Sequence, residues 1–100
     1  MIFELRNTMK KQLHFIIDNK IPFIKSVFEP YAIVEYIAGK EINSHIVKNA
    51  DALIIRTRTI CNKELLEGSR VKMIATATIG FDHIDTEYCK SQGIIWANAQ

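Results

Sequence analysis

Short apolar runs alternate with amphipathic stretches along the whole chain. The first run, Leu13-His14-Phe15-Ile16-Ile17, is closed by the polar Asp18-Asn19-Lys20. Across 22–29, Phe23 and Val27, with Ile24 and Phe28, recur at helical spacing. Pro22 suits a first helical turn and Pro30 stops the segment, so this stretch predicts a helix. Positions 32–37 predict a second strand that stops at Gly39, and 44–48 a short helix. Ala52-Leu53-Ile54-Ile55 is apolar throughout, the mark of a strand buried on both faces. Cys61 or Asn62 opens a helix over 63–67 that Gly68 ends. A fourth strand over 71–77, a helix over 82–92 stopped by Gly93, and a last strand over 94–97 complete the pattern.

Strict alternation of strand and helix with apolar strands predicts an α/β fold with a parallel sheet. Five strands and four crossovers suit a flavodoxin-like, doubly wound sheet of order 2-1-3-4-5, with right-handed crossovers placing helices on both faces. In such sheets ligands bind outside the carboxyl ends of the strands, near the point where strand order reverses. The segments this singles out are Asp18-Asn19-Lys20, Arg56-Thr57-Arg58-Thr59 and Thr76-Ala77-Thr78-Ile79-Gly80.

Composition narrows the picture. One hundred residues allow one hydrophobic core, and 48% apolar with 24% charged residues is the balance of a folded globular domain. A net charge of +2 gives no argument for nucleic acid, and no apolar stretch approaches a membrane span. Cys61 and Cys89 have no C-x-x-C or zinc spacing, and read as reduced thiols of a cytoplasmic protein. The start lacks the apolar core of a signal peptide. Met9-Lys10-Lys11 reads as a natural beginning, so 1–8 is taken as an extension and 9–100 as the domain.

Three segments carry candidate chemistry. Arg56 and Arg58 offer forked donors for carboxylate or phosphate, and the threonine hydroxyls beside them add further donors. The bland reading pairs one arginine with an acidic side chain and leaves the other in water. Gly80 lets a ligand approach the backbone after the fourth strand, although a plain strand-to-helix turn fits the same residues. Asp82-His83-Ile84-Asp85 could be taken for a metal site. Asp82 as N-cap and Asp85 in the first turn is the stronger reading, so no metal ligand is assigned. His14 and His45 stand alone. No two of the four glycines are spaced as G-x-G, which excludes a dinucleotide fingerprint and a P-loop. A phosphate-accepting receiver domain would need an acidic pair after strand 1 and an aspartate ending strand 3. Asp18-Asn19 and Arg56 stand there instead.

The stretches Asp51-Ala-Leu-Ile-Ile-Arg-Thr-Arg-Thr59, Val71-Lys-Met-Ile-Ala-Thr-Ala-Thr-Ile-Gly-Phe-Asp-His-Ile-Asp85 and Gly93-Ile-Ile-Trp-Ala-Asn-Ala99 resemble the N-terminal part of the D-isomer-specific 2-hydroxyacid dehydrogenases. The G-x-D-x-I-D element at 80–85 is typical of that family. The T-A-T-x-G-x-D-H-x-D form, with the opening Ile17-Asp18-Asn19-Lys20-Ile21-Pro22, is most similar to a branch acting on a 4-phosphorylated four-carbon hydroxy acid. Phosphoglycerate dehydrogenases usually read R-A-G-x-G-x-D-N there. The resemblance implies a two-domain enzyme, a homodimer when complete, in which this domain contacts a small phosphorylated hydroxy acid and another binds NAD. Thr57 matches a substrate contact of the R-[ST]-x-T loop, and Thr78 one of the T-A-T-x-G loop. Arg56 is a further substrate-binding candidate by motif, Arg58 by position. The family's catalytic arginine, glutamate and histidine lie downstream of these motifs, so no catalytic and no cofactor-binding residue is assigned here. Gln100 stands where the family usually has proline, which leads us to expect the front piece of a longer enzyme, inactive alone. Such a piece leaves apolar surface uncovered where the family's C-terminal segment packs. The alternatives are another branch of the family, a free-standing module that binds a phosphorylated acid without catalysis, or a remnant without function.

Overall fold

The computed structural model describes residues 12–99. The extension 1–8, the start at Met9 and the departure at Gln100 fall outside them. Five strands appear in chain order: β1 (His14–Asp18), β2 (Ile33–Ile37), β3 (Ala52–Ile55), β4 (Met73–Thr76) and β5 (Ile95–Asn98). They form one parallel sheet of order β2-β1-β3-β4-β5, the order expected from the alternation. A single 3-10 turn, Gly39–Glu41, follows β2. Three short helices occupy the later crossovers: α1 (Ser44–Val47), α2 (Lys63–Leu66) and α3 (Thr86–Ser91).

Each helix begins at a side-chain cap. Asn43 accepts from the Ile46 amide at 3.0 Å, Asn62 from Leu65 at 3.1 Å and Asp85 from Tyr88 at 3.0 Å. A cap of this kind contributes about 1 kcal/mol, which matters for helices of four to six residues that would not form alone. Gly68 and Gly93, with φ of 81° and 69°, carry the chain out of α2 and α3 in the left-handed conformation that glycine adopts without strain.

The sheet period of two sorts the side chains. Ile16, Leu53, Ile55 and Ile74 join Val47, Leu65, Leu66 and Cys89 in one buried cluster, so α1, α2 and α3 all cover the same face. On the other face Phe15, Ala52, Met73 and Ile95 stand in register across four strands. The β1–β2 connection crosses that face and lays Phe28 on Phe15, ring centroids 5.3 Å apart. Beyond it Met73 and Ile95 remain 48% and 71% exposed.

Two expectations need correction. The helix over 22–29 is a series of turns, joined by single bonds such as Val27 N–H to Ile24 O at 3.2 Å. Phe23 and Ser26 have φ of 61° and 71°, which breaks any right-handed helix, and the expected apolar face is split: Phe23 is 98% exposed and Val27 also lies outside, while Ile24 and Phe28 are half-buried, so no helix covers this second face of the sheet. The last helix starts at Thr86, not 82. Asp85 is its cap, while residues 81–84 form a turn closed by the Ile84 amide on Phe81 O at 2.9 Å. Asp82 therefore caps nothing.

Candidate functional site

The segments after β3 and β4 leave adjacent strands. Ile55 pairs with Thr76, and the Ala77 amide extends the ladder by one bond to Ile55 O at 2.8 Å. Thr57 and Thr78 each lie two positions past that last pair, on neighbouring loops above the sheet. The loops are tied again further on. Cys61 and Ile84 form a parallel bridge, with Cys61 N–H on His83 O at 2.7 Å and Asp85 N–H on Cys61 O at 2.8 Å.

Every turn of the Thr78 loop is held. Asn98 at the end of β5 donates to Ile79 O at 2.7 Å, and the Ala99 amide to Thr78 O at 3.0 Å. Phe81 packs on Trp96, ring centroids 4.8 Å apart. The Thr78 hydroxyl donates to Gly80 O at 2.9 Å and lies 2.7 Å from the Thr76 hydroxyl. Thr76 Oγ1 in turn lies 2.8 Å from His83 Nε2. Thr78 has given its proton to Gly80. Both remaining contacts are hydrogen bonds if Thr76 donates to Thr78 and the Nε2–H of a neutral His83 donates to Thr76. Burial pushes the His83 pKa below the ordinary imidazole value, and the Asp82 charge opposes this more weakly. Thr78, half-buried, keeps an unused lone pair, so the loop offers a ligand a fixed hydrogen-bond acceptor.

The Arg56–Thr59 loop is built differently. Arg56, Thr57 and Arg58 are exposed, while Thr59 is buried and donates to Gly39 O at 3.0 Å. That bond draws the turn after β2 against the loop after β3. Arg56 and Arg58 then line a cleft of about 350 Å³ with Asp18, Lys20, Gly39 and Lys40. A larger cleft, about 420 Å³, opens by Val71, Lys72 and Ile94, at the amino ends of β4 and β5 and away from these loops. The strand-end cleft touches two of the loops picked out by topology, through Asp18, Lys20, Arg56 and Arg58, and a shallower one of about 360 Å³ meets Arg58 from the side of Ile60 and Asn62.

The sequence reading missed two parts of this arrangement. Gly39 and Lys40 follow β2, which sits beside β1 in the order, yet attention went to the ends of strands 1, 3 and 4. His83 was read with Asp82 and Asp85 as part of a helix start, whereas its ring turns inward to Thr76. Among the described residues no three potential ligands gather around a point that could hold a metal ion.

Comparison with known proteins bears on this same face. The profile of the D-isomer specific 2-hydroxyacid dehydrogenase catalytic domain matches residues 14–100. The chain belongs to this family. Among family members it is 65% identical over 88 residues to an erythronate-4-phosphate dehydrogenase of Bacteroides thetaiotaomicron, and 60% identical over 85 residues to one of Bacteroides fragilis. These alignments cover 87% and 84% of the chain but 25% and 24% of those proteins, so it spans about a quarter of their length. Among solved family structures, the NAD+-bound 3-phosphoglycerate dehydrogenase of Entamoeba histolytica superposes with a TM-score of 0.71 at 26% identity, over 88% of this chain and 33% of its own. D-lactate dehydrogenase of Aquifex aeolicus gives 0.66 at 24% identity, over 85% and 27%, a likeness of fold. Members of this family act on small 2-hydroxy acids.

Proposed function

We propose that this chain is the substrate-binding domain, over residues 9–100, of an NAD-dependent dehydrogenase that oxidises 4-phosphoerythronate at C2 to the 2-oxo acid. The observation that carries the reading is the 65% identity to the Bacteroides thetaiotaomicron enzyme over residues that include both strand-end loops. The geometry supports it. Thr78 offers a fixed hydroxyl and Thr57 an exposed one on the next loop, suited to hydrogen bonds with a hydroxy acid. Arg56 and Arg58 supply positive charge for its anionic groups. Oxidation at C2 would need a hydride acceptor, the role NAD would fill when bound, and a base for the hydroxyl proton. The residues here do not fit NAD, because none of the four glycines makes a G-x-G turn. Their part is to hold and orient the acid, in a homodimeric enzyme whose cofactor domain lies outside this chain.

Phosphoglycerate is the natural rival substrate. The Thr76-Ala77-Thr78-Ile79-Gly80 loop and the 26% identity to the Entamoeba structure both disfavour it. The test is a chimera in which residues 12–99 replace the matching segment of the Bacteroides thetaiotaomicron enzyme. NADH formation is expected with 4-phosphoerythronate and not with 3-phosphoglycerate. In the chimera Thr57→Ala should raise KM about tenfold, the loss of one hydrogen bond to a charged group, and Thr78→Ala several-fold, the loss of an acceptor for a substrate hydroxyl. A chimera that prefers 3-phosphoglycerate would overturn the assignment.

A further inference from the structure

The Gly80 carbonyl has no proton to give, and this sets the direction of every hydrogen bond behind it. The Thr78 hydroxyl donates to it at 2.9 Å. The 2.7 Å contact between Thr76 and Thr78 therefore runs from the Thr76 proton to the Thr78 oxygen. Thr76 Oγ1 then accepts from His83 Nε2–H at 2.8 Å. Thr76 and His83 are 3% and 7% exposed, which shields the row from water that could reverse it. Around the Thr78 oxygen, Cβ, its own proton and the Thr76 proton take three of the roughly tetrahedral directions, and one lone pair is left. The loop that carries it is pinned, with Ile79 O on Asn98 Nδ2 at 2.7 Å and Thr78 O on the Ala99 amide at 3.0 Å. An oxygen held in this way takes a hydrogen-bond donor. It meets a carboxylate, an ester oxygen or a ketone lone pair to lone pair, unless Thr78 gives up Gly80.

The substrate's own chemistry says which donor this is. An acid oxidised at C2 releases its C2 hydroxyl proton to a base, and a proton committed to Thr78 is not available to that base. A hydroxyl at C3 keeps its proton throughout. We propose that Thr78 is the specificity contact for the C3 hydroxyl of the substrate, and that Thr76 and His83 are positioning residues that leave its oxygen as an acceptor. This rests on the reading of the substrate as 4-phosphoerythronate, which has a free hydroxyl at C3. In 3-phosphoglycerate the C3 oxygen carries the phosphoryl group, and in lactate C3 is a methyl. Neither can donate to Thr78 from that carbon. The contact thus separates three 2-hydroxy acids that share a carboxylate and a C2 hydroxyl.

The test compares 4-phosphoerythronate with its 3-deoxy analogue, 2-hydroxy-4-phosphobutyrate, as ligands of the 100-residue chain. Trp96, the single tryptophan, stacks at 4.8 Å on Phe81, which directly follows Gly80, and its fluorescence reports binding. The chain should bind 4-phosphoerythronate about five- to tenfold more tightly than the analogue, the effect of one hydrogen bond between neutral groups. Thr78→Val should remove the preference by weakening 4-phosphoerythronate alone, and Thr78→Ser should keep it. His83→Leu, which leaves the direction of the Thr76–Thr78 contact open, should cut the preference by about half or more, and His83→Gln should restore it. With no ligand present, the imidazole nitrogen-15 shifts of His83 at alkaline pH should place its proton on Nε2. Equal affinity for the two acids would overturn the proposal, and this comparison needs no variant to fold. So would a Thr78→Val loss shared equally by both acids, or a His83 proton on Nδ1. Because binding involves no turnover, the expected preference together with an inactive chimera would refute the proposed reaction and leave the C3 contact standing. An active chimera with the same KM for both acids would do the reverse.

Discussion

Thr76 has one proton and two partners, and this fixes what its neighbours must do. With Thr78 donating to Gly80 O, the 2.7 Å and 2.8 Å contacts of Thr76 require a donor at His83 Nε2. His83→Leu removes that donor from a buried site and should cost about 1–3 kcal/mol of stability in chemical denaturation. His83→Gln, which keeps an N–H, should recover part of it. In the chimera His83→Leu should raise KM several-fold with little change in kcat, because it frees Thr78 to rotate rather than touching the reacting atoms. The pH dependence follows from the lowered pKa. Below the ordinary imidazole value the unfolded chain takes up a proton that the folded chain resists. Stability contributed by the buried neutral ring is complete above that value, and falls as pH drops from it toward the depressed folded pKa. His83→Gln should flatten this part of the stability curve. The cysteines give a second check. Burial, with a smaller contribution from Cys89, pushes the Cys61 thiol up to about 12, and burial raises Cys89 too. Neither thiol should react with Ellman's reagent at pH 8 until the protein unfolds. Thr57 and Thr78 were legible in the sequence, because strand order alone points to the loops that carry them. His83 was not, because its role depends on a ring turned toward a strand seven residues earlier.

Elements differ in how much of their character is local. The helices at 44–47 and 63–66 were legible because each has an apolar pair within it and a stop or cap beside it, whereas the last one was legible only in its second half: Asp82 and Asp85 both offer a cap, and the chain uses Asp85. Ala52-Leu53-Ile54-Ile55 was legible to the residue because no polar position interrupts it. The connection over 21–31 obeyed the same apolar spacing and still did not form a helix. Its few contacts are made on the sheet, through Phe28 on Phe15 and the Tyr36 hydroxyl on Glu29 at 2.7 Å, and spacing cannot tell a helix from turns anchored at one point. The two alternatives give opposite signs for one substitution. In an exposed helix Ser26→Gly would cost several tenths of a kcal/mol. At φ of 71° it relieves a conformation that L residues avoid, and should stabilise by about 0.5–1 kcal/mol. Urea unfolding of Ser26→Gly beside the parent chain decides between them. A loss of stability would return the segment to a helix.

At the scale of the molecule the consequence of strand order is asymmetry. With order 2-1-3-4-5, the crossovers into β3, β4 and β5 run in one direction and the β1–β2 connection in the other, so right-handedness puts three helices on one face and a single connection on the opposite one. That connection covers Phe15 and stops short of β4 and β5, which leaves Met73 and Ile95 open in the register row that starts at Phe15. Neighbours in sequence therefore sit in opposite environments. Ile74, fully buried under the helices, should lose about 2–5 kcal/mol on change to Ala, from transfer and from the cavity left behind. Met73, one residue earlier, should tolerate lysine within about 0.5 kcal/mol, since its side chain already meets water. The pair Met73→Lys/Ile95→Lys should also raise solubility and reduce binding of a hydrophobic dye, because it breaks an apolar row without touching the core. Equilibrium denaturation and dye fluorescence on the three variants test this together. A loss of several kcal/mol from Met73→Lys would mean that the second face is packed at β4 as it is at β1 and β3, and the open β4–β5 end would have to be abandoned.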